Sequence, residues 1–454
     1  MTGYTGARAA IDRLEAFGIR LGLDNMHAVC ASLGHPERAV PSVHVAGTNG
    51  KGTTVTCLAA LGTAHGLRTG RYTSPHVVDL RERICLDGRP IPAADLAAGW
   101  SRVGPPVEAR RMTYFEATTL IAFDWFARQR VDLAILETGL GGRLDATNVV
   151  TPALAVVTGV ALDHERHLGA DLAAIAREKG GIAKPGVPLL AGAFPDAAAA
   201  SALAAAAAAA GAPLAHLADE AEWGVQAVAP GRTRFDYASG AARWDGLALP
   251  LTGAAFADDA ALALRAWERL GAAPPEETAV RRALAATAPP GRTEWQTLDG
   301  APLLLDVAHN PAAVGTLTAT LAAVSAGPWA VVAGFLADKA WPAMLDALTS
   351  VAGPVWLCGL TTAGEARRLT AASAAGELAS REGVTWADDV VSGLAQARSA
   401  MAAGAARGIL VTGSFHTVGE ALVALDRAQP DTPYLTGNVR ASWGGRPDGA
   451  LVGR

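Results

Sequence analysis

The stretch Val43-His44-Val45-Ala46-Gly47-Thr48-Asn49-Gly50-Lys51-Gly52-Thr53-Thr54 constrains this chain more than any other. An apolar strand-like run enters a glycine-rich turn with one lysine, and two hydroxyl residues then open an alanine- and leucine-rich helical segment. Gly47, Gly50 and Gly52 let the backbone turn tightly and aim its N–H groups at an anion, assisted by the helix N-terminus. Thr48 and Asn49 lie within this cradle. Lys51 adds positive charge for the outer phosphates of a nucleotide, and Thr53 or Thr54 can face a magnesium ion. The strict P-loop pattern is not met, because Val45 stands at its first glycine and Gly52 separates Lys51 from Thr53. The expectation is a nucleotide-phosphate site after a β-strand.

A chain of 454 residues is too long for one ordinary core, so two or three domains are expected. Half the residues are hydrophobic and 18% are charged, which describes a globular enzyme rather than a disordered chain. The formal charge of −5 argues against a dedicated nucleic-acid binder. Cys30, Cys57, Cys85 and Cys358 lack paired or metal-ligand spacing, as in a reducing compartment. No basic region followed by an apolar core opens the chain, and no run approaches a membrane span, so a soluble cytoplasmic location is expected.

From Ser42 to about Gly192 short apolar runs alternate with helical stretches, the pattern of a mostly parallel sheet with helices on both faces. Four runs end in polar or glycine-bearing loops: Ser42–Ala46, Arg71-Tyr72, Val131–Leu136 and Ala153–Val157. Ligands collect beyond the carboxyl ends of strands in open α/β sheets, so these four loops can share one site. Asp196–Gly211 reads as an alanine-rich surface helix without functional content, Trp223–Leu249 as a hairpin, and Phe256–Leu270 as a closing helix. Pro289-Pro290-Gly291 is the best linker. Beyond it, strand-like runs at Leu303–Val307, Ala330–Ala333, Val355–Leu357 and Ile409–Val411 indicate a smaller Rossmann-like α/β domain. The domains are therefore 1–290 and 291–428, with a flexible tail expected over 429–454.

Several motifs carry chemistry. Glu137-Thr138-Gly139-Leu140-Gly141-Gly142-Arg143-Leu144-Asp145-Ala146-Thr147-Asn148 follows a strand, where a carboxylate facing a phosphate loop suits magnesium. Leu162-Asp163-His164 follows the next strand; alone, such a histidine is more often structural. Glu178-Lys179-Gly180-Gly181-Ile182 closes a helical stretch, where a lysine most simply favours the helix dipole and water. Arg292 at the linker can swing a bidentate fork onto phosphate. In Leu305-Asp306-Val307-Ala308-His309-Asn310-Pro311, Asp306 can accept ribose hydroxyls and His309 can donate to phosphate, with helix capping as the plain alternative.

The spelling Gly-Thr-Asn-Gly-Lys-Gly-Thr resembles the ATP loop of the Mur ligase superfamily, in its folylpolyglutamate synthase and dihydrofolate synthase branch. The other motifs follow in family order, over roughly residues 12 to 425. The resemblance implies that Glu137, Thr53 and Ser74 (of Thr-Ser-Pro-His) hold one Mg²⁺. A second is implied near His164 and Lys179, the latter carbamylated. Phe115, Asp145 and Ala146 would hold the pterin ring. His167 falls outside the pattern and reads as surface. Gly334–Lys339 and Val411–Ser414 match further landmarks.

One stretch departs. Where the family reads Leu-x-Gly-x-His-Gln-x-x-Asn-Ala, this chain has Leu251-Thr252-Gly253-Ala254-Ala255-Phe256-Ala257-Asp258-Asp259-Ala260. An ionised Asp259 cannot donate as the amide does, and its charge repels phosphate. A second small change puts Gly180 where alanine is usual, which is expected to loosen a helix end.

The implied activity is ATP-dependent addition of L-glutamate to dihydropteroate or reduced folates through an acyl phosphate, by a monomer without nucleic-acid or membrane partners. A Mur-type ligase acting on a cell-wall nucleotide precursor is disfavoured, because about forty residues before the phosphate loop leave no room for a UDP-binding domain. A nucleotide-binding regulator without catalysis is the reading from another class, motivated by Ala255 and Asp259.

Overall fold

The strand Ser42–Ala46 (β1) is buried along its whole length and carries valine at alternate positions, as a central parallel strand requires. Around it form Thr69–Tyr72 (β2), Ile84–Leu86 (β3), Arg89–Pro90 (β4), Leu133–Glu137 (β5), Leu154–Val157 (β6), Leu189–Ala191 (β7) and Leu214–His216 (β8). In this computed structural model, which describes residues 3–325 and 327–427, they make one sheet in the order β4-β3-β2-β5-β1-β6-β7-β8. All neighbours from β2 to β8 are parallel, and β3 and β4 are antiparallel additions. The four strands singled out from the sequence are thus adjacent, and their carboxyl ends open on one edge. Glu137, expected just after a strand, is the last residue of β5.

The helix Lys51–Ala64 is buried from Thr53 to Gly62, covered by the helices Ala254–Leu270 and Glu277–Ala285. The expected hairpin over Trp223–Leu249 is a three-stranded antiparallel sheet, Ala221–Ala229 (β9), Arg232–Ser239 (β10) and Arg243–Leu249 (β11), ordered β11-β10-β9. Phe235, Tyr237, Trp244 and Leu247 from this sheet join Trp267 of the Ala254–Leu270 helix in one core. Loose alternation hid the third strand, because β9 is largely exposed and lacks an apolar face.

The alanine-rich helix Ala197–Ala210 packs on the helix Leu172–Gly180, which carries Lys179. A Cβ at Gly180 would lie 2.8 Å from the Ala206 Cβ and 3.1 Å from Leu203 Cδ1. Gly180 therefore serves close helix packing rather than loosening the helix end. The alanine helix, read as having no functional content, is the surface against which the Lys179 helix is held.

The second sheet comprises Glu294–Leu298 (β12), Ala301–Leu305 (β13), Trp329–Ala333 (β14), Ala352–Cys358 (β15), Val384–Ala387 (β16) and Gly408–Thr412 (β17). Its order is β12-β13-β17-β14-β15-β16, parallel except for the β12–β13 hairpin. Hydrophobic clusters lie on both faces. The tail expected over 429–454 lies outside the described residues.

Candidate active site

One cleft runs between the two sheets' carboxyl edges. It is lined by the loop Gly47–Thr53, Ser74, Glu137, His164 and Lys179 from the first part of the chain, and by Arg292, Asp306 and His309 from the second. Gly50, with φ of 83°, turns the loop into the helix Lys51–Ala64, whose cap has no side-chain partner. A Cβ at Gly50 would sit 2.1 Å from Asp259 Oδ1, so only glycine accommodates this turn. Lys51 folds over the loop, its Nζ donating to the carbonyls of Gly47 at 3.0 Å and Thr48 at 3.1 Å. Burial lowers its pKa, opposed by the charges of Glu137 and Asp163. Thr53 lines the cleft. Thr54, the other hydroxyl considered for the metal, does not: its side chain is buried, and its Oγ1 has no partner among the described residues.

Glu137 is buried at the end of β5, and its Oε2 accepts the Ser74 N–H at 3.1 Å. Burial raises its pKa, with Lys51 opposing. Glu137 thus couples two of the four loops and offers a hard oxygen ligand beside the phosphate loop. Lys179, expected by default to face water, is buried and donates to the Gly47 carbonyl at 2.7 Å. Burial, reinforced by the nearby Lys51 charge, brings its pKa down to about 7.

His164 has left-handed backbone (φ 53°) and stands beside Lys339, its Nε2 3.3 Å from Nζ. Burial and the Lys339 charge hold its pKa at about 4 against the pull of Asp163. Lys339 pairs with Asp163 at 2.5 Å, an ion pair whose two side chains are each 9% exposed. The sequence reading assigned no role to either partner. Asn310 was also missed. It caps the helix Pro311–Val324 through the Ala313 N–H at 2.9 Å, and its Nδ2 donates to Asn49 Oδ1 at 2.9 Å. Asparagine before proline is a helix-start signal, but only the fold shows that this helix start meets the phosphate loop. His167 is exposed.

Asp306 accepts the N–H groups of Thr293 and Ala308, both at 2.8 Å, and so anchors the turn that carries Arg292. Each carboxylate oxygen still has a lone-pair direction for a further donor. Arg292 lies over the Phe415 ring, 5.4 Å from its centroid. His309 gives its Nδ1 proton to the Val307 carbonyl at 2.9 Å, and burial lowers its pKa to about 4. In this neutral tautomer Nε2 has no proton, so the donor role expected from the sequence is unavailable unless an anion draws a proton there.

Phe115, Asp145 and Ala146 lie behind the Glu137 loop rather than in this cleft. The Phe115 ring backs Gly139, where a Cβ would approach Cζ to 2.6 Å. Asp145 spends both oxygens on its own loop, accepting the Gly139 and Leu140 N–H groups on Oδ2, each at 2.8 Å.

The departing stretch also lies in the cleft. Phe256 lines it together with Ala313, Leu317 and Thr320, so an aromatic ring and aliphatic side chains border the cleft. Asp259 is partly buried beside Thr53, and desolvation with the neighbouring Asp258 charge raises its pKa to about 7. The negative charge expected there is therefore only partial near neutrality, and the protonated fraction of Asp259 can donate as an amide would.

Residues 291–415 match the family model described as Mur ligase, glutamate ligase domain. The dihydrofolate synthase/folylpolyglutamate synthase of Bacillus subtilis is 35% identical over 362 residues, covering 77% of this chain and 84% of that protein. The Mycobacterium tuberculosis folylpolyglutamate synthase complexed with ADP and AMPPCP superposes with a TM-score of 0.83 at 32% identity, over 93% of this chain and 99% of that one. A bifunctional folylpolyglutamate synthase/dihydrofolate synthase with Mn, AMPPNP and L-glutamate bound gives 0.79 at 33% identity, over 92% and 98%. The chain belongs to the dihydrofolate synthase/folylpolyglutamate synthase family of Mur ligases.

Proposed function

We propose that this protein is an ATP-dependent ligase joining L-glutamate to dihydropteroate, to a reduced folate, or to both. The observation that carries the reading is the convergence of Lys51, Glu137, Lys179 and Arg292 on one cleft between two α/β domains. The names of the B. subtilis relative and of the structures holding ATP analogues, Mn and L-glutamate support it. The triphosphate lies along Gly47–Thr53 and the base enters the cleft beside Phe256, whose ring can stack on a purine. Residues 1–290 supply the phosphate loop; a folate wall at Phe115, Asp145 and Ala146 would lie behind the Glu137 loop, outside the cleft that takes the nucleotide. The domain beginning at 291 supplies Arg292, Asp306 and His309.

An oxygen of the acceptor carboxylate attacks the γ-phosphorus, the bond to the β-phosphate oxygen breaks, and ADP leaves. The amine of L-glutamate then attacks the acyl carbon, loses a proton, and phosphate departs as the amide forms. Lys51 and Arg292 offset the charge on the phosphates; positioning and charge neutralisation supply the rate, without a protein nucleophile. Closure about 289–291 keeps water from the acyl phosphate.

Thr53, Ser74 and Glu137 form an oxygen set suited to Mg²⁺, which supplies charge neutralisation on the outer phosphates. A second ion is proposed at His164 and carbamylated Lys179. Lys179 fits that role through its buried, easily neutralised amine. His164 fits less well, with the Lys339 ammonium already at its Nε2. The protein is proposed to act as a cytoplasmic monomer without nucleic-acid partners. Among the described residues no helix is long and apolar enough to cross a membrane.

The test is incubation with Mg-ATP, L-glutamate and either dihydropteroate or tetrahydrofolate, with products read by mass spectrometry. A glutamate-sized gain on either acceptor, lost in Lys51→Ala, is expected. No gain on both, with ATP still bound, refutes the folate-ligase reading and favours the regulator.

A further inference from the structure

His44 lies mid-strand in β1, fully buried between Leu136 of β5 and Ala155 of β6. An imidazole in the middle of a sheet core is costly unless it is bonded, so its one contact is informative. Nε2 stands 2.7 Å from Thr147 Oγ1, while Nδ1 has no partner among the described residues. Thr147 Oγ1 in turn lies 2.5 Å from Asp145 Oδ1. A hydroxyl has one proton, and beside a carboxylate that proton belongs on the carboxylate side. Thr147 therefore accepts from His44, which must be the neutral Nε2–H tautomer; burial holds its pKa at about 3. The opposite tautomer would bury an unbonded N–H and turn the threonine proton away from Asp145, a worse arrangement on both counts.

Beyond Thr147 the chain of bonds reaches the site. Asp145 Oδ1 also accepts the Thr147 N–H at 3.0 Å, and Oδ2 holds the Gly139 and Leu140 N–H groups. Leu140 lines the cleft, and Gly139 is two residues beyond Glu137. We propose that His44 is a positioning residue which, through Thr147 and Asp145, clamps the loop after Glu137 from inside the sheet and so fixes the cleft wall carrying that carboxylate. Neither His44 nor Thr147 touches substrate.

The inference rests on the proposed role of the Glu137 loop, so Glu137→Gln is the control. Thr147→Val removes the hydroxyl at nearly constant shape, Thr147→Ser keeps it, and His44→Phe removes the donor. Thr147→Val and His44→Phe are expected to lower kcat by at least about tenfold, the scale of a lost hydrogen bond to a charged group. ATP affinity by calorimetry should stay within about twofold, and Thr147→Ser should restore kcat. Nitrogen NMR of labelled histidine should show His44 as Nε2–H in the wild type and not titrating between pH 5 and 8. If His44→Phe fails to fold, the Thr147→Val and Thr147→Ser pair with the NMR tautomer decides. An Nδ1–H signature, or wild-type kcat in folded Thr147→Val while Glu137→Gln is inactive, overturns the relay alone. Full activity in Glu137→Gln overturns the site reading beneath it.

Discussion

Lys179 provides the sharpest test of the proposed chemistry. A primary amine reacts with CO₂ only when neutral, and burial together with the Lys51 charge brings this one from 10.5 to about 7. At pH 7.5 a group with that pKa is roughly three-quarters neutral, against about one part in a thousand at the ordinary value. At that pH the fold therefore raises the reactive amine several-hundredfold, on the order of 10³. The helix Leu172–Gly180 holds the amine at the phosphate loop, where a carbamate oxygen would face the metal. Stripping dissolved CO₂ is expected to lower ligase activity at least about fivefold, and bicarbonate should restore it. Because the neutral fraction grows as pH rises through about 7, carbamate occupancy at fixed dissolved CO₂ should rise between pH 6 and 8. Carbon-13 bicarbonate should give one carbamate resonance, absent in Lys179→Ala, whose activity bicarbonate does not rescue. No such resonance at CO₂ saturation, with activity independent of CO₂, refutes the reasoning; Lys179 would then act as an ammonium held on the Gly47 carbonyl.

Three further outcomes follow from the packing and charge of the site. Gly180→Ala gains about 1 kcal/mol of helix propensity but forces a Cβ to 2.8 Å from that of Ala206; overpacking at 1–3 kcal/mol should win. A lowered melting temperature restored by Ala206→Gly is expected, and a stabilised Gly180→Ala would refute the packing account. Asp259 has a pKa raised from 3.8 to about 7, so the folded state holds its proton more tightly than the unfolded chain. Its contribution is full below about 4 and is lost as pH rises to about 7, a loss of up to roughly 4 kcal/mol that Asp259→Asn should abolish in denaturant titrations. At Gly419 an added Cβ would meet the Val77 carbonyl oxygen at 2.2 Å, backbone of the segment that follows Ser74. Gly419→Ala should cost about 1–3 kcal/mol of stability and weaken ATP binding by calorimetry, whereas unchanged values would mean that the segment shifts freely.

Much of the candidate site was legible because its signals are local. The Gly47–Thr53 loop and the carboxylate closing β5 each declare themselves within a dozen residues, since backbone turns have their own residue requirements. Strand alternation also put the four loops on one edge, because parallel strands joined by helices leave their carboxyl ends together. The third strand of the β9–β11 sheet escaped notice, as an exposed edge carries no period to read.

Other assignments depended on distance in space. Asp163 and Lys339 are 176 residues apart, Asn49 and Asn310 are 261 apart, and His44 and Thr147 are 103 apart. No local pattern marks such partners, because an ion pair or a hydrogen bond between domains depends on where the sheets dock. The residue types of the phosphate loop, its lysine and its metal-suited oxygens follow from the sequence alone. Burial and contact set what those groups can do: burial brings Lys179 and Asp259 to titrate near neutrality, and close packing makes Gly180 a contact surface, because desolvation and close contact exist only once the chain has folded.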